Sequence, residues 1–268
     1  MSNCGDFSFA GFQLNTCNWS WSWTLSTKES IAFHVGTCLF YMISVKVLQS
    51  WVKSTPNYTQ PRWLEKFRII HNILLALVSF WMFVVMTYSI YNDGRLFSWR
   101  NAACQMTPMQ GWYGIANLVY LVSKWWEWID TYLLVLTQKP IISLHWFHHM
   151  TTFTMAALTH NFPVGGFALL NCLVHTVMYL HYAKPVRWAR PFITSGQLIQ
   201  FVIVLSIHTH GYLNPADCFD MSGVFWEWVF CQSVVLGFFI MFCQFFADQY
   251  LTTKEGSGKS KRIANKEA

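Results

Sequence analysis

Three histidines, His145, His148 and His149, stand within five residues of one another in the otherwise apolar stretch Leu144-His145-Trp146-Phe147-His148-His149. On a helix, positions i, i+3 and i+4 share a face, so the three imidazoles would be presented to one place. Ionisable groups inside a hydrophobic segment are costly and mark functional sites. One chemistry open to them is metal ligation. A His-x-x-His-His box suits membrane di-iron oxygenases and desaturases, but two irons take roughly eight histidines from several boxes. This chain has 10 histidines and a single box; counting alone leaves a three-histidine zinc site open. The other chemistry is acyl transfer, in which imidazole takes the acyl group itself or moves protons near neutral pH.

Further polar residues interrupt neighbouring apolar stretches. Lys124, Glu127, Asp130 and Thr131 fall within an arc of about 120° on one helix face, and Lys124 and Glu127 can pair at i, i+3. They cannot face lipid, so they form either a structural ion-pair network or the wall of a site. Asn171, His175, Met178, Tyr179 and Tyr182 share a second face with His181 beside it. Asn171, one turn before His175, is placed to orient its ring. Thr194, Gln197 and Gln200 add a hydroxyl and two amides that suit a polar ligand or a link between helices. His34, His71, His160, His208 and His210 lie near segment ends and are assigned no chemistry.

The elements that must position these groups are membrane spans. With 54% hydrophobic and only 11% charged residues, the chain departs from soluble composition. Seven stretches approach the roughly 20 residues needed to cross a bilayer: 31–49, 69–91, 113–136, 141–158, 165–182, 192–207 and 224–246. Pro56, Pro61, Asn92-Asp93-Gly94, Pro140, Pro163, Pro185 and Pro215 punctuate the connections. The expected fold is an all-α integral membrane protein with a luminal segment at 1–30, a seven-helix domain at 31–250 and a disordered basic cytosolic tail at 251–268. No signal peptide is evident, and Trp19, Trp21 and Trp23 are expected to act as interfacial anchors.

Alternating the loops between two sides leaves only Lys28, Arg95 and Arg100 on one of them. Lys124 lies in a span, and the remaining Lys and Arg fall on the other side. The positive-inside rule then makes the C-terminus cytosolic and the N-terminus luminal. No nucleic-acid motif accompanies the net charge of +6. Cys4, Cys17, Cys104 and Cys218 all fall on the luminal, oxidising side. These four allow three pairings; Cys104 with Cys218 is the expected one, tying the second luminal loop to the third. Asn18-Trp19-Ser20 is a luminal glycosylation sequon.

The ordered motifs resemble those of the ELO-type very-long-chain fatty acid elongases over about residues 30 to 250. Lys124-Trp-Trp-Glu127-Trp-Ile-Asp130-Thr131 matches that family's Lys-x-x-Glu-x-x-Asp-Thr, and His145 to His149 its histidine box. Asn171-Cys-Leu-Val174-His175-Thr-Val-Met178-Tyr179-Leu-His181-Tyr182 and Thr194, Gln197 and Gln200 match two more. His181 stands where the family usually has Tyr, and a single lysine near the C-terminus replaces the common dilysine signal.

The resemblance implies six helices in an inverted barrel around an acyl tunnel, the first helix lying outside it. It also implies residence in the endoplasmic reticulum membrane and a 3-ketoacyl-CoA synthase reaction. That reaction joins a fatty acyl-CoA to malonyl-CoA and needs no metal or other cofactor. In this scheme His148 is the nucleophile and His175 its partner, with His145 and His149 holding the cluster. Lys124, Glu127, Asp130, Asn171, Tyr179, Gln197 and Gln200 line the substrate site, and Lys139, Lys184, Arg187 and Arg190 border the CoA entrance. Expected partners are the reductase, dehydratase and enoyl reductase of the elongation cycle and membrane lipids; a homo-oligomer is left open. A His-box desaturase or hydroxylase is the alternative. Trp146 resembles the branch acting on saturated and monounsaturated chains, and Trp226 and Trp228 are candidate limits on chain length.

Overall fold

The computed structural model describes residues 5–159, 165–215, 218 and 222–251. His160, Pro163 and nearly all of the predicted tail lie outside the described residues. The chain begins with strands β1 (Asp6–Phe9), β2 (Phe12–Asn15) and β3 (Ser20–Trp23) and continues into helices. These are α1 (Lys28–Ser54), α2 (Trp63–Asn92), the short α3 (Trp99–Cys104), α4 (Gly111–Trp126), α5 (Trp128–Leu136), α6 (Ser143–Leu158), α7 (Gly165–Ala183), α8 (Ala189–Leu213) and α9 (Phe225–Phe246). Four helical stretches, Lys28–Ser54, Trp63–Asn92, Ala189–Leu213 and Phe225–Leu251, are long and apolar enough to cross a membrane. The chain is a helical multi-pass membrane protein. α1, α2 and α8 outrun the hydropathy-based spans at both ends; at α1, Thr27 caps the helix by accepting from the Ser30 N–H.

The helices that carry the histidine box, the Lys124–Thr131 motif and the Asn171–Tyr182 motif are shorter. The stretch 113–136, expected as one helix, is divided at Glu127. There the backbone remains near helical, but the Glu127 carbonyl takes the Asp130 N–H three residues on. This tightened turn interrupts the regular helical bonding within the motif.

Helix packing closes into a cycle. α2 packs most extensively on α7, which packs on α8; α8 meets α9, α9 meets α6, α6 meets α4 and α4 returns to α2. α1 stands outside this cycle against α5 and α6. Aromatic and aliphatic residues from Leu144, Phe238 and Phe242 through Phe153 to Trp21 form one continuous apolar core.

The N-terminal segment adds a small sheet to the helical domain. β1, β2 and β3 form an antiparallel meander. Ala10 and Gly11 link the first hairpin, both with positive φ, as a two-residue turn matched to strand twist requires. At Gly11 a Cβ would also strike Ser30 and the Thr24 carbonyl. Along Ser20-Trp21-Ser22-Trp23 the period of two turns both indoles inward. Trp21 and Trp23 are therefore core residues, each only 5% exposed, instead of interfacial anchors; Trp19, before the strand, is 43% exposed.

Cys104 in α3 is joined to Cys218 by a disulfide, and Cys17 is also disulfide-bonded. Cys38, Cys172, Cys231 and Cys243 are free thiols on helices. Nearby, buried Arg95 donates to Thr107 Oγ1 at 3.0 Å and to the Ala102 carbonyl at 3.1 Å, fixing the connection between α2 and α4. Trp226 is 78% exposed on the outer surface of α9 and limits no interior length. Trp228 instead stacks on Tyr212, ring centroids 4.4 Å apart.

Candidate active site

Four elements meet around the histidine box. The first turns of α6 carry His145, His148 and His149; α7 brings Asn171, His175 and Tyr179; the α4–α5 break brings Lys124 to Thr131; α2 adds His71. The ring of His149 lies 4.3 Å from that of His145 and 5.1 Å from that of His148, and His148 lies 6.4 Å from His175. The rings are contiguous but do not share one target. His148 and His149 are successive, so about 100° of helix rotation separates them. His148 turns toward His175 and Phe238. His145 Nε2 instead reaches Thr131 Oγ1 at 2.9 Å, and Thr131 is held by Tyr41 OH of α1 at 2.9 Å.

Charge enters through a buried pair. Lys124 Nζ donates to Glu127 Oε1 at 2.7 Å, both side chains 2% exposed. Lys124 also donates to Asn171 Oδ1 at 3.2 Å and lies over the Tyr120 ring, whose hydroxyl donates to the same Asn171 oxygen. Asn171 is thus committed to Lys124 and Tyr120 and does not orient His175, as its spacing had led us to expect. That task falls to Glu127, whose Oε1 is 3.4 Å from His175 Nδ1. A carboxylate on Nδ1 favours the tautomer with its proton there and leaves Nε2 as the free basic atom.

Asp130 faces away from the Lys124 pair. Its Oδ1 lies 2.8 Å from His71 Nε2, and its Oδ2 accepts from Tyr179 OH at 2.8 Å. Tyr179 in turn sets its ring edge-on to His175, centroids 5.5 Å apart. His71, given no chemistry from the sequence, is therefore part of the network. Its signal was a buried imidazole on a helix long enough to span, but nothing in the α2 sequence names its partner. Tyr41 and Tyr120 were missed for the same reason.

The other expected residues divide. Gln200 is buried, whereas Gln197 contacts Met178 Sδ at 3.7 Å. Thr194 returns its hydroxyl to the Arg190 carbonyl. His181 Nδ1 accepts the Val186 N–H at 3.1 Å and closes the turn after α7. Lys139, Lys184, Arg187 and Arg190 are exposed at the end of the bundle where α6 begins and α7 finishes. At that end a cleft of about 690 Å³ opens between α1, α6 and α9, with Trp146 and Phe147 in its wall.

Buried polar atoms with no partner among the described residues include Glu127 Oε2 and His149 Nδ1 at this centre and Gln200 Oε1 on α8. Buried polar atoms are usually paired, so these are candidates for contact with water or with a polar ligand group. A metal fits less well. Among the described residues the one trio of His, Cys, Asp or Glu donors close enough to share an ion is Cys104, His210 and Cys218, two of which are spent in the disulfide. The box histidines do not converge in that way.

A cycle of packed helices holding a buried imidazole, carboxylate and amide cluster defines a helical multi-pass membrane protein with a polar site in its interior. The chain belongs to the ELO: GNS1/SUR4 family, which it matches over residues 26–258. It is similar to "Fatty acid elongase sre1" of Dictyostelium discoideum, 26% identical over 94% of this chain and 96% of that protein. It is also similar to "Very long chain fatty acid elongase 3" of Homo sapiens, 24% identical over 85% of this chain and 86% of that protein. "Very long chain fatty acid elongase 4" of Trypanosoma cruzi (strain CL Brener) is 29% identical over 77% of this chain and 80% of that protein.

Proposed function

We propose that the protein is a fatty acid elongase of the 3-oxoacyl-CoA synthase type, condensing a fatty acyl-CoA with malonyl-CoA. One observation carries this reading: the buried succession His148, His175, Glu127, Lys124, in which each group faces the next. In the first half-reaction a His148 ring nitrogen attacks the thioester carbonyl and the carbon–sulfur bond breaks. The proton leaving the imidazole passes to the CoA thiolate, with His175 as carrier. In the second, the carboxylate–carbon bond of malonyl-CoA breaks to release carbon dioxide. The enolate left behind attacks the acyl carbon, the acyl–nitrogen bond breaks, and His148 recovers a proton. Overall one proton is consumed and no cofactor is required. Lys124 offsets the Glu127 charge that orients His175, while Asp130, Asn171, Tyr179, Gln197 and Gln200 form the polar wall.

The helix cycle with α1 outside supports the reading of seven transmembrane helices, six of them an inverted barrel around an acyl tunnel. The exposed basic residues at the histidine end support CoA entry from the cytosol. In this reading residues 1–30 are luminal, 31–250 form the membrane domain and 251–268 are cytosolic. The protein resides in the endoplasmic reticulum and hands its product to a reductase, a dehydratase and an enoyl reductase.

The test is transfer of labelled malonyl-CoA carbon into lengthened acyl-CoA by the purified protein. His148→Ala is expected to lower the rate at least ~10³-fold, as loss of a nucleophile does, and to abolish acyl adducts on that peptide. Robust turnover by this variant would remove the nucleophile assignment.

A further inference from the structure

We infer that the N-terminal β-meander is the floor of the acyl-binding interior, and that the Trp21 indole sets the longest chain accepted. This inference rests on the elongase reading above. The site lies at the end of the bundle where α6 begins; the meander lies across the opposite end. Gly114, where Trp21 is fastened, is ten residues from Lys124 along α4, about 15 Å of helix.

The meander is fixed to the ends of four helices. The Trp21 Nε1–H donates to the Gly114 carbonyl at 2.8 Å, and the Gly111 N–H donates to the Asn18 carbonyl at 2.6 Å, both on α4. Gly114 has no room for a side chain, because a Cβ there would collide with the Trp19 carbonyl. Trp23 packs on Phe33 and His34 of α1 and edge-on against Phe153 of α6. Glu227, at the start of α9, accepts the Leu25 N–H at 3.1 Å. A mere appendage would not need attachments to α1, α4, α6 and α9 together.

Its inward face is apolar and continuous with the interior. Trp21, Trp23, Phe12 and Leu14 join the same core that reaches Leu144, Phe238 and Phe242 beside the histidines. An acyl chain whose thioester sits at His148 and whose tail runs away from the basic entrance is directed along this core to the meander. β3 carries two indoles on this face: Trp23 packs against α1 and α6, whereas Trp21 is the one fastened to α4 and is the one assigned the length limit.

The experiment uses the full-length protein, wild type and Trp21→Ala and Trp21→Phe variants, with a series of saturated acyl-CoA primers. Trp21→Ala is expected to extend the accepted length, raising turnover of the first rejected primer relative to the best one by ~10-fold or more, the scale of a methylene in an apolar pocket. Trp21→Phe, which keeps a ring in place should the alanine variant not fold, is expected to give a smaller shift of the same sign. An unchanged length profile at normal turnover would overturn the inference. Independently of turnover, an acyl-CoA carrying a photoreactive diazirine at its tail end should label the peptide containing residues 12–23. Labelling confined to other segments would also overturn it. Lack of condensation by the wild-type protein with every primer would instead count against the elongase reading, leaving the labelling result to judge the floor.

Discussion

The Lys124–Glu127 pair permits a prediction that depends on its burial and not on the reaction assigned to the site. At 2.7 Å and an effective dielectric near 20, the Coulomb attraction is about 6 kcal/mol, much of it offset by desolvation of both ions. Removing one partner leaves the other charged and unmatched, which costs about 3–5 kcal/mol. Lys124→Met strands the Glu127 carboxylate beside His175; Glu127→Gln strands the ammonium between Asn171 and the Tyr120 ring. The double variant strands neither. It should therefore be destabilised by only about 1–2 kcal/mol, the loss of ordinary hydrogen bonds. Reversible unfolding of the four proteins by denaturing detergent in mixed micelles gives the cycle. Single variants each costing under about 1 kcal/mol, or a double variant equal to their sum, would refute the claim that these charges neutralise one another inside the protein.

Two further outcomes are expected. His71→Phe removes the 2.8 Å contact with Asp130 and should destabilise the fold by about 1.5–3 kcal/mol, the range for a hydrogen bond to a charged group; His71→Gln, which keeps a donor, should recover part of this in the same detergent titration. Gly114→Ala forces a methyl against the Trp19 backbone carbonyl, a contact that no rotamer change relieves, and should lower the unfolding free energy by about 1–3 kcal/mol.

Much of the fold was legible because hydrophobic period and punctuation act locally. The long apolar runs at 31–49, 69–91, 192–207 and 224–246 became α1, α2, α8 and α9, the first three running beyond the apolar stretch at both ends. The alternation Ser20-Trp21-Ser22-Trp23 was a strand signal, overlooked because a tryptophan-rich flank beside a span also has an interfacial meaning. The break at Glu127 was not legible, since its residue types favour an unbroken helix.

The candidate site divides along the same line. By itself the sequence determined which polar residues interrupt the apolar helices and which share a face: the histidine box on one helix, Lys124 with Glu127 on another, His175 and Tyr179 on a third. Only the tertiary structure decided which faces meet. It made Glu127 the group that orients His175, committed Asn171 to Lys124 and Tyr120, joined His71 to Asp130, and laid Trp21 across the far end of the bundle. Periodicity fixes a side chain's direction about its own axis, whereas the rotation and depth of one helix against the next are set by packing between residues far apart in the chain.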